Sequence, residues 1–308
     1  MIASGEGGAV TPRNFPPCPI CGDEAWRLIH RGPVRDGGYG KSRSGDIARC
    51  GGCGVDRLAE GLCLQPADYA GDTYRAQLGQ SHGLDQHRRA HDELARFTVE
   101  TVWPMSLRGK VVADVGCGGG SLLDHLSGLV TKAIAIDPAA GFADSLRDRG
   151  YDYFASTDAA AARYEDAVDI AFAIQVIEHV ADPKAFLAEI LKLLKPGGTC
   201  VLSTPNRNDI LMDLLPDDFP SFFYRTQHRW SFDAAALANC AGAAGFDVRE
   251  VRHVHRYGMA NALLWLRERK PGGREQLAAI DREADALWRA WLESSGRADN
   301  LYMLLTRP

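Results

Sequence analysis

VVADVGCGGGSLLDHL, residues 111–126, decides the fold. VVADV reads as a buried strand, the glycines as a tight turn, and SLLDHL as the start of a helix. A glycine turn at a helix start lets a ligand approach backbone N–H groups, which is why such units hold nucleotides. The dinucleotide fingerprint requires G-x-G-x-x-G. Here Gly116-Cys117-Gly118-Gly119-Gly120-Ser121 puts serine at the third glycine position, and no Lys-Ser/Thr follows to make a P-loop. Asp114, two residues before the first glycine, would repel a diphosphate but suits an ammonium group. Asp137, ending the next apolar run AIAID (133–137), can accept hydrogen bonds from ribose hydroxyls.

A nucleoside bearing an amino acid meets these demands together, and S-adenosylmethionine has all the parts. The remaining chain repeats the alternation. GFADSLRDRG reads as a helix, YDYFA (151–155) as strand three and VDIAFAI (168–174) as strand four. Asp182-Pro183 opens a helix with an N-cap and an N1 proline, and Lys195-Pro196-Gly197-Gly198 closes it. TCVLST (199–204) is strand five, Asp233 caps another helix, and FDVREVRHV and DNLYMLLTR are strands six and seven. This pattern predicts an α/β, Rossmann-like seven-stranded sheet covered on both faces. A helical insertion (260–295) precedes the last strand, which is compatible with antiparallel pairing. Its stripe Leu277, Ile280, Ala284, Leu287, Trp291 is expected to cover the core or a partner protomer in a homodimer.

The net charge of −5 argues against a nucleic-acid binder, which usually shows a basic stripe. No basic-then-apolar leader opens the sequence, and no run of about 18 apolar residues interrupts it. The expectation is a cytoplasmic protein with no membrane association. Four of the eight cysteines form Cys18-Pro-Ile-Cys21 and Cys50-Gly-Gly-Cys53, separated by 28 residues. Without an export signal such pairs suggest metal ligation, and four thiolates suggest structural Zn²⁺. The expected organisation is a disordered tail over 1–14, a zinc-binding module over 15–65 that is too short to fold without a staple, a connector and helix over 66–104, and a cofactor-binding domain over 105–308.

DVGCGGG, AIDP, VIEHVADP and LLKPGGTCVLSTPN, in this order and spacing, resemble the motifs of class I S-adenosylmethionine-dependent methyltransferases. The resemblance covers roughly residues 85–308. It implies that Gly116, Cys117 and Gly118 admit the methionine part of the cofactor beside Asp114. It implies further that Asp137 and Pro138 hold the ribose, that Thr157 or Asp158 reaches the adenine amine, and that Gln175 lines the methionine side. The N-terminal cysteine module and the segment Tyr74-Arg75, followed by a helix with His87 and His91, resemble zinc-bearing deoxysugar methyltransferases. Some RNA methyltransferases also carry zinc modules.

The resemblance to the sugar enzymes marks Tyr74, His179 and His228 as catalytic candidates. His228, in YRTQHRWSFDAAAL, is the first choice for general base, because an unperturbed imidazole can accept a proton at neutral pH. Gln227 stands where a glutamate is expected in that family. Gln175-Val-Ile-Glu178-His179 also resembles the Glu-x-x-Glu-His cation site of quinone-pathway O-methyltransferases, with the first carboxylate missing. The sugar C-methyltransferases carry a further domain after the last strand, where the present sequence stops, so O- or N-methylation is expected at least as readily as C-methylation. The aromatic stretch with Phe219, Phe222, Phe223, Tyr224 and Trp230 suggests a pocket wall or a dimer contact. The leading expectation is methyl transfer to a small polar acceptor such as a sugar or nucleotide-sugar. The alternatives are an RNA base methyltransferase and a non-catalytic cofactor-binding interaction protein.

Overall fold

Three short antiparallel strands open the chain: β1 (Trp26–Arg35), β2 (Ser42–Cys50) and β3 (Asp56–Leu58). The structure is a computed structural model that describes residues 15–71, 73–77, 79, 83–102 and 104–308; the tail expected over 1–14 lies outside the described residues. Three helices follow, α1 (Pro66–Ala70), α2 (Thr73–Gln77) and α3 (Leu84–Val102). Buried Ala95, Thr98 and Val102 set α3 against the main sheet, where Thr98 Oγ1 lies 3.0 Å from the Tyr302 hydroxyl.

The strand–helix alternation then runs β4 (Val111–Val115), α4 (Ser121–Leu126), β5 (Lys132–Ile136), α5 (Ala143–Asp148), β6 (Asp152–Phe154), α6 (Thr157–Tyr164), β7 (Val168–Ile174), α7 (Pro183–Leu193) and β8 (Leu194–Pro205). After α8 (Ile210–Leu214), α9 (Phe219–Phe223), β9 (Trp230–Ser231) and α10 (Ala234–Ala243) come β10 (Asp247–Val254), α11 (Met259–Glu268), α12 (Arg282–Ser294) and β11 (Asn300–Thr306). The seven-stranded sheet has the order β10-β11-β8-β7-β4-β5-β6; β11 runs antiparallel to its neighbours β10 and β8, and every other neighbouring pair is parallel. This is the expected Rossmann-like fold. The order reverses beside β4, so the glycine turn opens at the switch point where open α/β sheets bind ligands.

Local chemistry accounts for the helix starts. Asp182 accepts from Ala185 N and Asp233 from Ala236 N, which caps α7 and α10 as their sequences imply. β8 starts earlier than expected. Val168 pairs with Leu194 and Ile170 with Thr199, so the strand resumes across a bulge that absorbs Lys195-Pro196-Gly197-Gly198. The stripe read on residues 277–291 is also corrected. α12 begins only after Asp281, which caps it by accepting from Ala284 N. Leu292 is the buried residue of that helix, while Leu287 and Trp291 are 67% and 50% exposed, so they do not cover the core.

The cysteine-bearing segment does not stand alone. β3 pairs with β9, so both parts share a four-stranded sheet, β1-β2-β3-β9. Fully buried Asp56 accepts from Arg49 and from Arg207, each at 2.7 Å. Arg229 holds both oxygens of Glu60 at 2.7 Å. Val34, Ile47, Leu58 and Tyr224 pack together across the junction.

Candidate active site

A single cavity of about 1090 Å³ runs from the glycine turn to the junction with the cysteine-bearing segment. Asp114, Gly116, Cys117, Gly118, Asp137 and Pro138 line one end, with Thr157 and Gln175 beside them. Tyr74, His179 and His228 line the middle. The sequence therefore named residues that the fold brings into one space, although they lie up to 154 positions apart. Asp158 is the exception. Ser156 caps α6 by accepting from Ala159 N, and this turns Asp158 outward to solvent, away from the cavity.

The turn is shaped by its glycines. Gly116 has φ +81°, and a Cβ there would collide with the Val176 side chain; at Gly118, φ +50°, it would come within 2.6 Å of His87 Cε1. His87 and His91, left without a role by the sequence, form a stacked pair over this turn, and His87 Nε2 accepts from Gly119 N at 3.0 Å. Asp137 Oδ2 accepts from Gly118 N at 2.7 Å and Oδ1 from Ala139 N at 2.9 Å. These backbone contacts fix the carboxylate at the strand end, where it lines the cavity.

Asp114 is buried, and among the described residues no hydrogen bond or ion pair reaches its carboxylate. Burial, with the nearby charge of Asp137, pushes its pKa up to about 7. A cation from a ligand would relieve both effects. The donor set thus suits an amino-acid-bearing nucleoside: an unpartnered carboxylate for the ammonium, a side-chain-free turn, and a second carboxylate for the ribose. Thr157, buried, donates to the Glu189 carboxylate, which also lines the cavity.

Further along, Glu178, His179 and His228 bring one ligand atom each within 4.8 Å of one another. Glu178 Oε2 accepts from Thr204 Oγ1, while Oε1 is buried with no hydrogen-bond partner among the described residues and lies 4.0 Å from His179 Nε2. Burial raises this carboxyl to about 7. His179 Nδ1 lies 2.7 Å from the Gln227 carbonyl. A carbonyl can only accept, so Nδ1 carries the proton and Nε2 keeps a free lone pair. His179 meets His228 edge to face at 4.8 Å between ring centroids, and Tyr74 and Tyr69 pack on His179.

One reading needs correction here. The His228 imidazole is not near its ordinary pKa: burial, then the charges of Arg225, His179 and Arg35, drive it well below that value. His228 is thus neutral at pH 7 but a weak proton acceptor in the bare cavity. Gln227 is no stand-in for a catalytic glutamate. It is buried, its amide nitrogen donates to Gln77 Oε1 and Thr226 Oγ1, and its backbone oxygen receives Tyr69 and His179. Gln175, with φ +58°, turns its amide nitrogen to Asn300 Oδ1 and Ser203 Oγ, away from Glu178, so no cation site is completed from that position.

The aromatic stretch divides in two. Phe219, Phe222 and Phe223 line the cavity, whereas Tyr224 donates to Asp56 and fully buried Trp230 donates to the Val180 carbonyl. The latter two hold the junction. Arg35 and Arg225, which also line the cavity, carried no signal in the sequence.

Away from the cavity, Cys18 Sγ lies 3.6 Å from Cys53 Sγ, Cys21 Sγ lies 3.5 Å from Cys50 Sγ, and all four sulfurs fall within 4.8 Å of one another. A tetrahedral ion with Zn–S bonds of about 2.3 Å spaces its sulfurs at about 3.8 Å, whereas a disulfide needs about 2.05 Å. The donor set suits zinc.

The sheet order, the glycine turn at the switch point and the paired carboxylates define a class I S-adenosylmethionine-dependent methyltransferase domain. The family described as "Methyltransferase domain" matches residues 85–251, and the chain belongs to it. Among curated proteins it is similar to the ubiquinone biosynthesis O-methyltransferase of Cereibacter sphaeroides (strain KD131), 35% identical over 120 residues, covering 37% of this chain and 49% of that protein. It is likewise similar to the same-named enzyme of Psychrobacter cryohalolentis, 38% identical over 117 residues, covering 34% of this chain and 44% of the relative. The chain spans about half the length of these relatives. A chain in the complex between the Haloferax volcanii Trm112 methyltransferase activator and its methyltransferase superposes with TM-score 0.50 at 17% identity, covering 73% of this chain and 95% of that one. That likeness concerns the fold. Among the described residues no helix is long and apolar enough to cross a membrane.

Proposed function

We propose that the protein transfers a methyl group from S-adenosylmethionine to a hydroxyl of a small, ring-bearing acceptor. The observation that carries this reading is the continuity of one cavity from unpartnered Asp114 to the Glu178–His179–His228 cluster. Asp114 holds the cofactor's ammonium, Asp137 its ribose, and Thr157 lies toward the adenine. When bound, the cofactor supplies a sulfonium methyl group open to displacement by an acceptor oxygen.

The chain's own residues orient that oxygen and receive its proton. Phe219, Phe222 and Phe223 offer flat apolar faces to a ring, and Tyr74 limits how it can lie. His179 presents a fixed Nε2 lone pair, and neutral His228 beside it offers a second, so the hydroxyl proton has an acceptor on this chain. The O-methyltransferase names of the relatives support oxygen as the acceptor atom; a sugar acceptor has no such support. Cys18, Cys21, Cys50 and Cys53 would hold a structural zinc that stiffens the segment carrying β1 to β3, with no part in the chemistry.

The test is calorimetric and kinetic. The wild type should bind S-adenosylhomocysteine, and Asp137→Ala should lose that binding while keeping its fold. With methylation of a panel of phenols and catechols followed by mass spectrometry, His228→Ala should lower kcat by about 10²-fold or more with little change in cofactor affinity. Tight uptake of NADH or ATP in place of the adenosyl ligand would refute the assignment.

A further inference from the structure

Two arginines that line the cavity have no carboxylate partner among the described residues. Arg35 ends β1, and Arg225 lies just after α9. Their backbones are pinned side by side: Arg35 N donates to Tyr224 O at 3.0 Å, Thr226 N donates to Arg35 O at 2.9 Å, and the two arginines form a parallel bridge. Both line the cavity, and the Arg35 guanidinium lies over the Phe222 ring at 4.1 Å. Arg35 Nε and Nη2 and Arg225 Nε are buried without a hydrogen-bond acceptor.

Among the described residues no carboxylate pairs with either side chain. Asp36, next in sequence to Arg35, accepts from Thr226 Oγ1 instead. Asp299 is taken by Arg256 through both the backbone N–H and Nε. Glu178 feels the Arg225 charge but forms no ion pair with it. Burial, with the charge of Arg225, lowers Arg35 to about 9. Two like charges held together with empty donors are unfavourable unless something negative joins them.

We propose that Arg35 and Arg225 form an anion subsite that grips a phosphate or carboxylate group of the acceptor. The planar forks of two arginines match such oxygens, with Phe222 and Phe223 flanking the ring that bears them. The subsite rests on the methyltransferase reading above and deepens it: the acceptor is an anionic ring compound rather than a neutral one. It also gives the cysteine-bearing segment a part in the site, since Arg35 is its contribution to acceptor choice.

The experiment uses the full chain saturated with S-adenosylhomocysteine and titrates phenyl phosphate, benzoate and phenol by calorimetry. At least one of the two anions should bind roughly tenfold or more tightly than phenol, the scale of one charge-assisted hydrogen bond. The tighter anion identifies the group as phosphate or carboxylate. Arg35→Gln and Arg225→Gln should each lose that preference while still binding the adenosyl ligand. Phenol binding as tightly as both anions, or a preference that survives in the double variant, overturns the proposal. If a variant does not fold, the wild-type comparison of phenol with the anions still decides. Failure of the wild type to take up S-adenosylhomocysteine counts against the methyltransferase reading instead.

Discussion

Asp56 and Arg207 meet at 2.7 Å, both buried, across the boundary between the cysteine-bearing segment and the seven-stranded sheet. Arg207 also binds the Gly54 carbonyl and Asp233, the cap of α10, so one guanidinium ties three elements. Removing one member of a buried pair leaves the other desolvated and is costly. Arg207→Met should destabilise the protein by about 3 kcal/mol and expose β1 to β3 to protease first, while Arg31→Ala, whose ion pair with Asp46 is largely exposed, should change little. Equal melting temperatures for Arg207→Met and the wild type would contradict this.

The four thiols make a second prediction. Metal analysis should return one zinc per chain, and its removal by a strong chelator should loosen residues 15–65 before the seven-stranded sheet. Because Arg35 and the β3–β9 pairing belong to the same unit, chelation should impair acceptor binding more than binding of S-adenosylhomocysteine. A non-reducing mass that shows two disulfides and no metal would remove the basis for this.

Why the sheet was readable and the junction was not follows from the two kinds of strand. VDIAFAI and VVADV are buried on both faces, so they appear as apolar runs whatever surrounds them, and Asp182-Pro183 and Asp233 act through local caps. WRLIHRGPVR and SRSGDIARC are half exposed and interrupted by glycine and proline, and they hold as strands because they pair with each other. β9 is two residues long and exists only against β3, some 170 residues away. The site shows the same division. Asp114 and Asp137 are positioned by strand ends adjacent to the turn, whereas Arg35 and Arg225 are joined by a bridge between distant segments that leaves no periodic trace. The lowered pKa of His228 comes first from burial and then from the charges of Arg225, His179 and Arg35, none of which its local sequence shows.

The glycine turn yields a third prediction. At Gly116, φ +81° alone costs an L-residue about 1–2 kcal/mol, and an added methyl group falls on Val176, two residues before Glu178. Gly116→Ala should therefore weaken binding of S-adenosylhomocysteine and also shift the Glu178–His179 segment, so that kcat falls along with affinity. Gly128→Ala, where a Cβ meets nothing within 4 Å, is the matched control. Should Gly116→Ala bind the ligand as the wild type does, the turn is not where the cofactor lies.

The fourth prediction concerns pH. Asp114 is raised to about 7 because burial, and then the charge of Asp137, disfavour its ionised form. A ligand ammonium needs the carboxylate ionised. Below pH 7 the free protein carries a proton on Asp114 that binding must expel, so affinity for S-adenosylhomocysteine should fall by up to about tenfold per pH unit as the pH drops. At pH 7 the carboxylate is about half ionised, so the dependence should weaken there and flatten only above about pH 8. Calorimetry at pH 6 in two buffers of different ionisation enthalpy should reveal about one proton released per ligand bound. Asp114→Asn should bind more weakly at pH 7.5 and show neither the slope nor the proton release. Identical affinities at pH 6 and 7.5 for the wild type, with no buffer dependence, would mean that Asp114 does not meet the ammonium group, and the orientation of the cofactor in the cavity would have to be reversed.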